Sequence, residues 1–214
     1  MLSFALPLLA ALQTAPAPEA PVSPSDAVEQ RDTVGVVRET DLGDIVLSIE
    51  SEAAPITAAN FLRYVDEDRL DGTVFYRAMV LDWGEQPNGL VQGGVQYDPK
   101  RVLGPIAHEP TSETELTHRT GALSMARNEP GTATGDFSIL MQDLKNMDAD
   151  LDSEDVNERL GYAVFGYVVD GMDVVRAIHA SPRDPDKGEG WMKGELLAKP
   201  VTIIEARRVD APAD

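Results

Sequence analysis

The feature that most limits the fold is a period of two. Val34 to Glu39 and Asp44 to Ile49 alternate apolar and polar residues on either side of Thr40-Asp41-Leu42-Gly43. An extended chain with this pattern has one dry and one wet face and a tight turn on which to reverse, so it predicts a β-hairpin. Thr73, Val74, Phe75 and Tyr76 are β-branched or aromatic and follow an Asp-Gly turn signal, which predicts another strand beginning near Thr73. Pro200 to Val209 supplies a closing strand. Helical character is confined to two stretches. One opens near Pro55, where a missing N–H costs nothing, and carries Ala58, Ala59, Phe61, Leu62 and Val65 on its apolar side. The other runs from Asp173 to His179, with Met172, Val175 and Ile178 on one side. A mainly β chain with two helices avoids free sheet edges by closing into an antiparallel barrel that the helices cap.

That domain is expected over residues 34–210. At 214 residues the chain holds one domain with a substantial core and is too short for two once its N-terminal segment is set aside. Met1 to Leu12 is an apolar run too short to span a bilayer, followed by small residues suited to a signal peptidase. Residues 1–15 therefore read as a signal peptide, which predicts a secreted, periplasmic protein with no transmembrane segment in the mature chain. No Lys or Arg precedes Arg31, so the positive charge expected at such a terminus falls to the α-amine alone. Pro16, Pro18, Pro21 and Pro24 stand among alanines, serines and acids, and residues 16–33 read as a linker that cannot bury a core.

Charge and cysteine usage remove several function classes. Lys plus Arg total 18 against 37 Asp plus Glu, a formal net charge of -19, and such a field repels a phosphate backbone. No nucleic-acid partner is expected. The absence of cysteine rules out disulfides, thiolate catalysis and cysteine-ligated zinc. Asp148, Asp150 and Asp152 alternate like the opening of a calcium-binding loop. Ser153 stands where the sharp turn wants glycine and Arg159 where a bidentate glutamate should be, so the stretch reads as a solvated acidic loop. His108, His118 and His179 are scattered, and no hydrolase or metalloprotease motif accompanies them. No cofactor or metal is expected.

Arg77 is the residue that calls for chemistry. An arginine set among Phe75, Tyr76, Ala78 and Met79 must keep its five donors wet, pair them with an acid, or aim them at a ligand carbonyl. Gln92, beside Gly93 and Gly94, is a neutral donor and acceptor where backbone can be approached closely. Further segments follow in Gly121-Ala-Leu-Ser-Met125-Ala126-Arg127, Asp136-Phe137-Ser138 and Val164-Phe165-Gly166 to Val175.

These segments, with Gly43 to Leu47 and Ala54 to Phe61 upstream, resemble the cyclophilin family of peptidyl-prolyl cis-trans isomerases, in one order over roughly residues 34 to 209. The resemblance implies a closed antiparallel eight-stranded β-barrel capped by two α-helices. It implies a monomer acting on X-Pro-containing polypeptides, without a cofactor, to assist folding. It makes Arg77 the donor to the prolyl nitrogen and gives Gln92 the task of holding substrate or orienting the arginine. Met125 and Ala126 match the substrate pocket, Arg127 ends the same motif, and Leu90 and Leu151 supply apolar wall.

Other pocket positions depart from the family pattern. Gly89 and Ser138 stand where groove phenylalanines are usual, and Asp136 where a glutamine is. Asp150 replaces a tryptophan, and Tyr162 and Tyr76 replace histidines. Lost rings predict weaker prolyl binding, and the alternative function is a catalytically weak or inactive proline-peptide-binding or chaperone module on the same fold. The connection over residues 78–91 is longer than the pattern allows and places an enlarged loop beside the groove, where Trp83 either contacts substrate or, as is commoner for an isolated loop tryptophan, packs down on that loop.

Overall fold

The computed structural model describes residues 33–210. The expected signal peptide and, apart from Thr33, the expected linker lie outside the described residues. The predicted hairpin forms β1 (Val34–Thr40) and β2 (Gly43–Ile49), and helix α1 (Pro55–Asp66) follows with proline in its first turn. Strands β3 (Val74–Met79) and β4 (Leu90–Gly94) flank the enlarged loop. The short α2 (Thr111–Thr114) precedes β5 (Ala122–Met125) and β6 (Phe137–Leu140). The short α3 (Val156–Leu160), β7 (Val164–Asp170), α4 (Met172–His179) and the long β8 (Leu196–Val209) complete the chain.

All eight strands pair antiparallel in the closed order β1-β2-β7-β5-β6-β4-β3-β8. Closure leaves no edge strand. The predicted helices are α1, packed on β7 and β8, and α4, packed on β2, β3 and β4. The four-residue α2 and five-residue α3 were not anticipated.

Inside the barrel, Phe61, Phe75, Phe137 and Phe165 form an aromatic cluster with centroid separations of 5.0 to 5.9 Å. Tilted and edge-on pairs at that spacing are favourable beyond their buried area. The first turn of α1 is capped from far along the chain. Glu109 accepts from Ile56 N at 3.0 Å and from Thr57 N at 2.6 Å, satisfying donors that a helix leaves open and placing a negative charge at the positive end of its dipole.

One irregularity decides how the site is built. Phe75 pairs with Gly93 and Arg77 with Gln92, so β3 spends two residues where β4 spends one. A regular strand would put Phe75 and Arg77 on the same face. This bulge lets Phe75 and Ala78 both enter the core while Arg77 turns outward. Strand β8 makes a larger excursion opposite the same point, between Leu196 and Val201, which accommodates Pro200 where no ladder hydrogen bond is required of it.

Candidate active site

A groove of about 280 Å³ lies on the outer face of β3, β4, β6 and β5. Its floor is one rung of the sheet: Arg77 stands opposite Gln92, Gln92 opposite Ser138, and Ser138 opposite Ser124. All four side chains line the groove. On β4 the alternation places Leu90 and Gln92 in the groove and Val91 in the core. Met125, Ala126, Arg127 and Tyr162, expected from sequence, line it as well. Arg127 lies over the Tyr162 ring at 4.5 Å and donates to Gly161 O at 2.6 Å, which fixes that end of the wall.

Arg77 is buried yet richly partnered. Its Nε donates to Glu195 Oε2 at 2.7 Å, Nη2 lies 2.7 Å from the same oxygen, and Nη1 donates to Gln92 Oε1 at 2.6 Å. Trp191 covers the guanidinium, with Cζ 4.5 Å from a ring centroid, a cation–π contact. A guanidinium carries five N–H groups, so one on each terminal nitrogen remains for a ligand. The arrangement neutralises a buried charge while leaving a fixed pair of donors. Glu195 and Trp191 precede β8 and were not anticipated. Glu195 lies 118 residues from Arg77, and no local pattern in the sequence connects them.

Three expected residues lie elsewhere. Leu151 is 68% exposed on the acidic segment and is not part of the groove. Its place in the wall is taken by Met147, at the end of a 3-10 turn over Lys145–Met147, with Asn146 before it. The acidic residues enter the chain after that turn rather than before the apolar wall residue, so matching the leucine displaced the wall by four positions. The preceding position is accordingly Asn146 rather than Asp150. Tyr76 and Asp136 pair with each other beside the groove, not in its wall. The Tyr76 hydroxyl donates to Asp136 Oδ1 at 3.2 Å, and Gln96 N donates to the same oxygen at 3.1 Å. Burial raises the Asp136 carboxyl above the usual carboxylate range, and burial together with the Asp136 charge raises the Tyr76 hydroxyl.

Gly89 cannot recover a side chain. It has φ +85°, and a Cβ there would sit 2.1 Å from Met79 O. Aromatic surface comes instead from Trp83 and Trp191, which both line the groove. Of the two placements the sequence leaves open for Trp83 on the enlarged loop, the one beside substrate is consistent with its position in the groove lining. Buried Asn88 shapes that loop by donating to Trp83 O at 2.6 Å and accepting from Leu81 N at 2.9 Å.

Behind the rung lies a relay that sequence reasoning missed. His118 Nδ1 is 2.6 Å from Asp148 Oδ1, and its Nε2 is 2.9 Å from Ser124 Oγ. Burial lowers the imidazole pKa, against the opposing pull of Asp148. The neutral ring this favours donates from Nδ1 to Asp148 and accepts the Ser124 hydroxyl at Nε2. The order is that of a hydrolytic triad, but the chemistry is not. Ser124 is 1% exposed, and the neighbouring N–H groups of Met125 and Ala126 are taken by Ala163 O and Asp136 O, leaving no donor pair there for an oxyanion. The relay holds the β5 rung in place. His179 is also structural, buried with Nε2 3.0 Å from Met79 O. Among the described residues no group of three or more His, Asp or Glu is placed to hold a metal, and no helix is long and apolar enough to cross a membrane.

Comparison with known proteins agrees with this geometry. The family model described as cyclophilin type peptidyl-prolyl cis-trans isomerase/CLD matches residues 36–207. A peptidyl-prolyl cis-trans isomerase of Acinetobacter baylyi is 35% identical over 176 residues, covering 80% of this chain and 84% of that protein. Peptidyl-prolyl cis-trans isomerase B of Escherichia coli is 35% identical over 176 residues, covering 78% of this chain and 97% of that protein. The crystal structure of a cyclophilin type peptidyl-prolyl cis-trans isomerase from Cryptosporidium parvum superposes with a TM-score of 0.65 at 21% identity, covering 85% of this chain and all of that one, which speaks for the fold. With the barrel, the Arg77 and Gln92 rung and the matched segment all in agreement, the chain belongs to the cyclophilin-type peptidyl-prolyl cis-trans isomerase family.

Proposed function

We propose that this protein catalyses rotation about X-Pro peptide bonds in unfolded or exposed segments, with Arg77 as the electrostatic catalyst. The observation that carries the reading is a guanidinium held on one edge by Glu195 and at Nη1 by Gln92, with donors left over beside an apolar wall. Rotation about a peptide bond must break amide resonance against a barrier of about 18 to 20 kcal/mol. As the amide twists, the prolyl nitrogen regains its lone pair and becomes an acceptor that neither planar isomer offers. A donor fixed beforehand binds the twisted state better than either ground state, and that difference is the catalysis. Leu90, Met125 and Met147 supply the apolar surface for the ring, and Gln92 keeps the guanidinium aimed.

No nucleophile, proton transfer or cofactor is needed for this reaction. The missing rings at Gly89 and Ser138 weaken ground-state and transition-state binding alike, by about 2 kcal/mol for each lost ring contact, and so raise KM more than they lower kcat. The N-terminal apolar run supports export to the periplasm, and the protein acts as a monomer, the state its family resemblance implies.

The test is cis-trans exchange on a short X-Pro peptide, followed by NMR, with wild type and Arg77→Ala. Exchange is expected to accelerate with the wild type and to fall about a hundredfold in kcat/KM with the variant. Saturable peptide binding with no exchange enhancement, unchanged by Arg77→Ala, would instead identify a non-catalytic binding module.

A further inference from the structure

The strands of this barrel leave the groove short of aromatic surface, and two loops restore it. The chain contains two tryptophans, 108 positions apart in the sequence, and both line the groove. Trp191 is the more exposed, at 73%, and is held in place rather than loosely extended. Its 3-10 turn, Gly190–Met192, sits in a loop closed by Gly194 N to Lys187 O at 2.9 Å and Glu195 N to Met192 O at 3.1 Å. The loop is tied to β3 through Ala78 N to Glu195 O at 3.0 Å, next to Arg77 itself. Gly188 has φ +85°, and a Cβ there would lie 2.3 Å from Met192 O, so only glycine permits this path. The ring rests on the Arg77 guanidinium, whose plane Glu195 and Gln92 already fix. Its orientation is thereby inherited from the catalytic group, while much of its surface stays open at the groove.

We propose that Trp191, with Trp83, forms a specificity-determining wall that receives an aromatic side chain next to the substrate proline. The preferred substrates are then X-Pro segments with Phe, Tyr or Trp adjoining the prolyl ring. Such a ring gains both apolar burial and a stacking partner on an indole, which alanine at the same place cannot. This inference rests on the prolyl isomerase reading of the same groove.

The experiment uses the full chain and three peptides, Ala-Ala-Pro-Ala, Ala-Phe-Pro-Ala and Ala-Ala-Pro-Phe, with exchange rates measured by NMR. The wild type is expected to favour at least one Phe peptide over the Ala peptide by about tenfold in kcat/KM, equivalent to about 1.4 kcal/mol. Trp191→Ala should bring that ratio close to one, and Trp191→Phe should keep most of it. Because Trp83→Phe leaves Trp191 as the sole indole, its fluorescence should shift on titration with the favoured Phe peptide and much less with the Ala peptide. A ratio near one in the wild type, or a preference that survives Trp191→Ala, overturns the proposal. Absence of exchange with all three peptides refutes the isomerase reading instead, and the fluorescence titration then still decides whether the indole meets an aromatic side chain.

Discussion

Replacing Arg38 with methionine should make this protein more stable. Arg38 lies on β1 in the inward phase shared by Val36 and Thr40 and is fully buried. Its guanidinium carbon is 4.1 Å from the Phe137 centroid and 4.8 Å from that of Phe61, and among the described residues none of its three nitrogens has a hydrogen-bond partner. Burial pulls its pKa well below the usual arginine range, to about 9. At about 1.36 kcal/mol per pKa unit, that drop corresponds to about 5 kcal/mol against the charged form. The two ring contacts return about 1 to 2 kcal/mol. Methionine has nearly the same reach and no charge, so Arg38→Met is expected to gain about 3 kcal/mol, or roughly 6 to 12 °C in Tm for a domain of this size. Urea unfolding at pH 7 and pH 10 tests the reasoning. The folded-state pKa lies below the unfolded one, so above about pH 9 the native state sheds a proton that the unfolded chain keeps, and the wild type gains stability as pH rises. The advantage of Arg38→Met should therefore be largest at pH 7 and shrink at pH 10. A lower urea midpoint for the variant at pH 7 would refute the argument.

Glu195→Gln should lower kcat/KM for an X-Pro peptide about tenfold in the exchange assay, because it removes the charge that fixes one edge of Arg77 while preserving shape. Burial lowers the His118 pKa below its unfolded value, so the unfolded chain takes up a proton first as pH falls. Stability should accordingly decline below about pH 6.5, and thermal scans of His118→Gln should show a flatter acid limb. Glu109→Ala should cost about 2 kcal/mol in urea unfolding, since it strips the N–H groups of Ile56 and Thr57 of their acceptor and removes a charge from the start of α1.

The features of this protein that repeat locally are legible in its amino-acid order. Period-two alternation located the first hairpin, Pro55 and the apolar residues after it located α1, and the motifs around Arg77, Gln92 and Met125 to Arg127 identified the family and most of the groove. Each of these depends on neighbours within a few positions. The remaining features depend on phase and closure. One extra residue at Tyr76 turns Arg77 to the groove and keeps Phe75 inside, which no count of apolar residues in β3 reveals. The turn at Lys145–Met147 brings Met147 to the wall and leaves Leu151 in water, although either could satisfy the pattern of an apolar residue beside acids. Arg38 shares the phase of Val36 on β1, and the pairing of β1 with both β2 and β8 closes the barrel around its charge. Glu195 and Trp191 reach Arg77 only because β8 returns to lie against β3. A partner that distant in the chain is chosen by the sheet order, and the sheet order is a property of the closed barrel rather than of any segment within it.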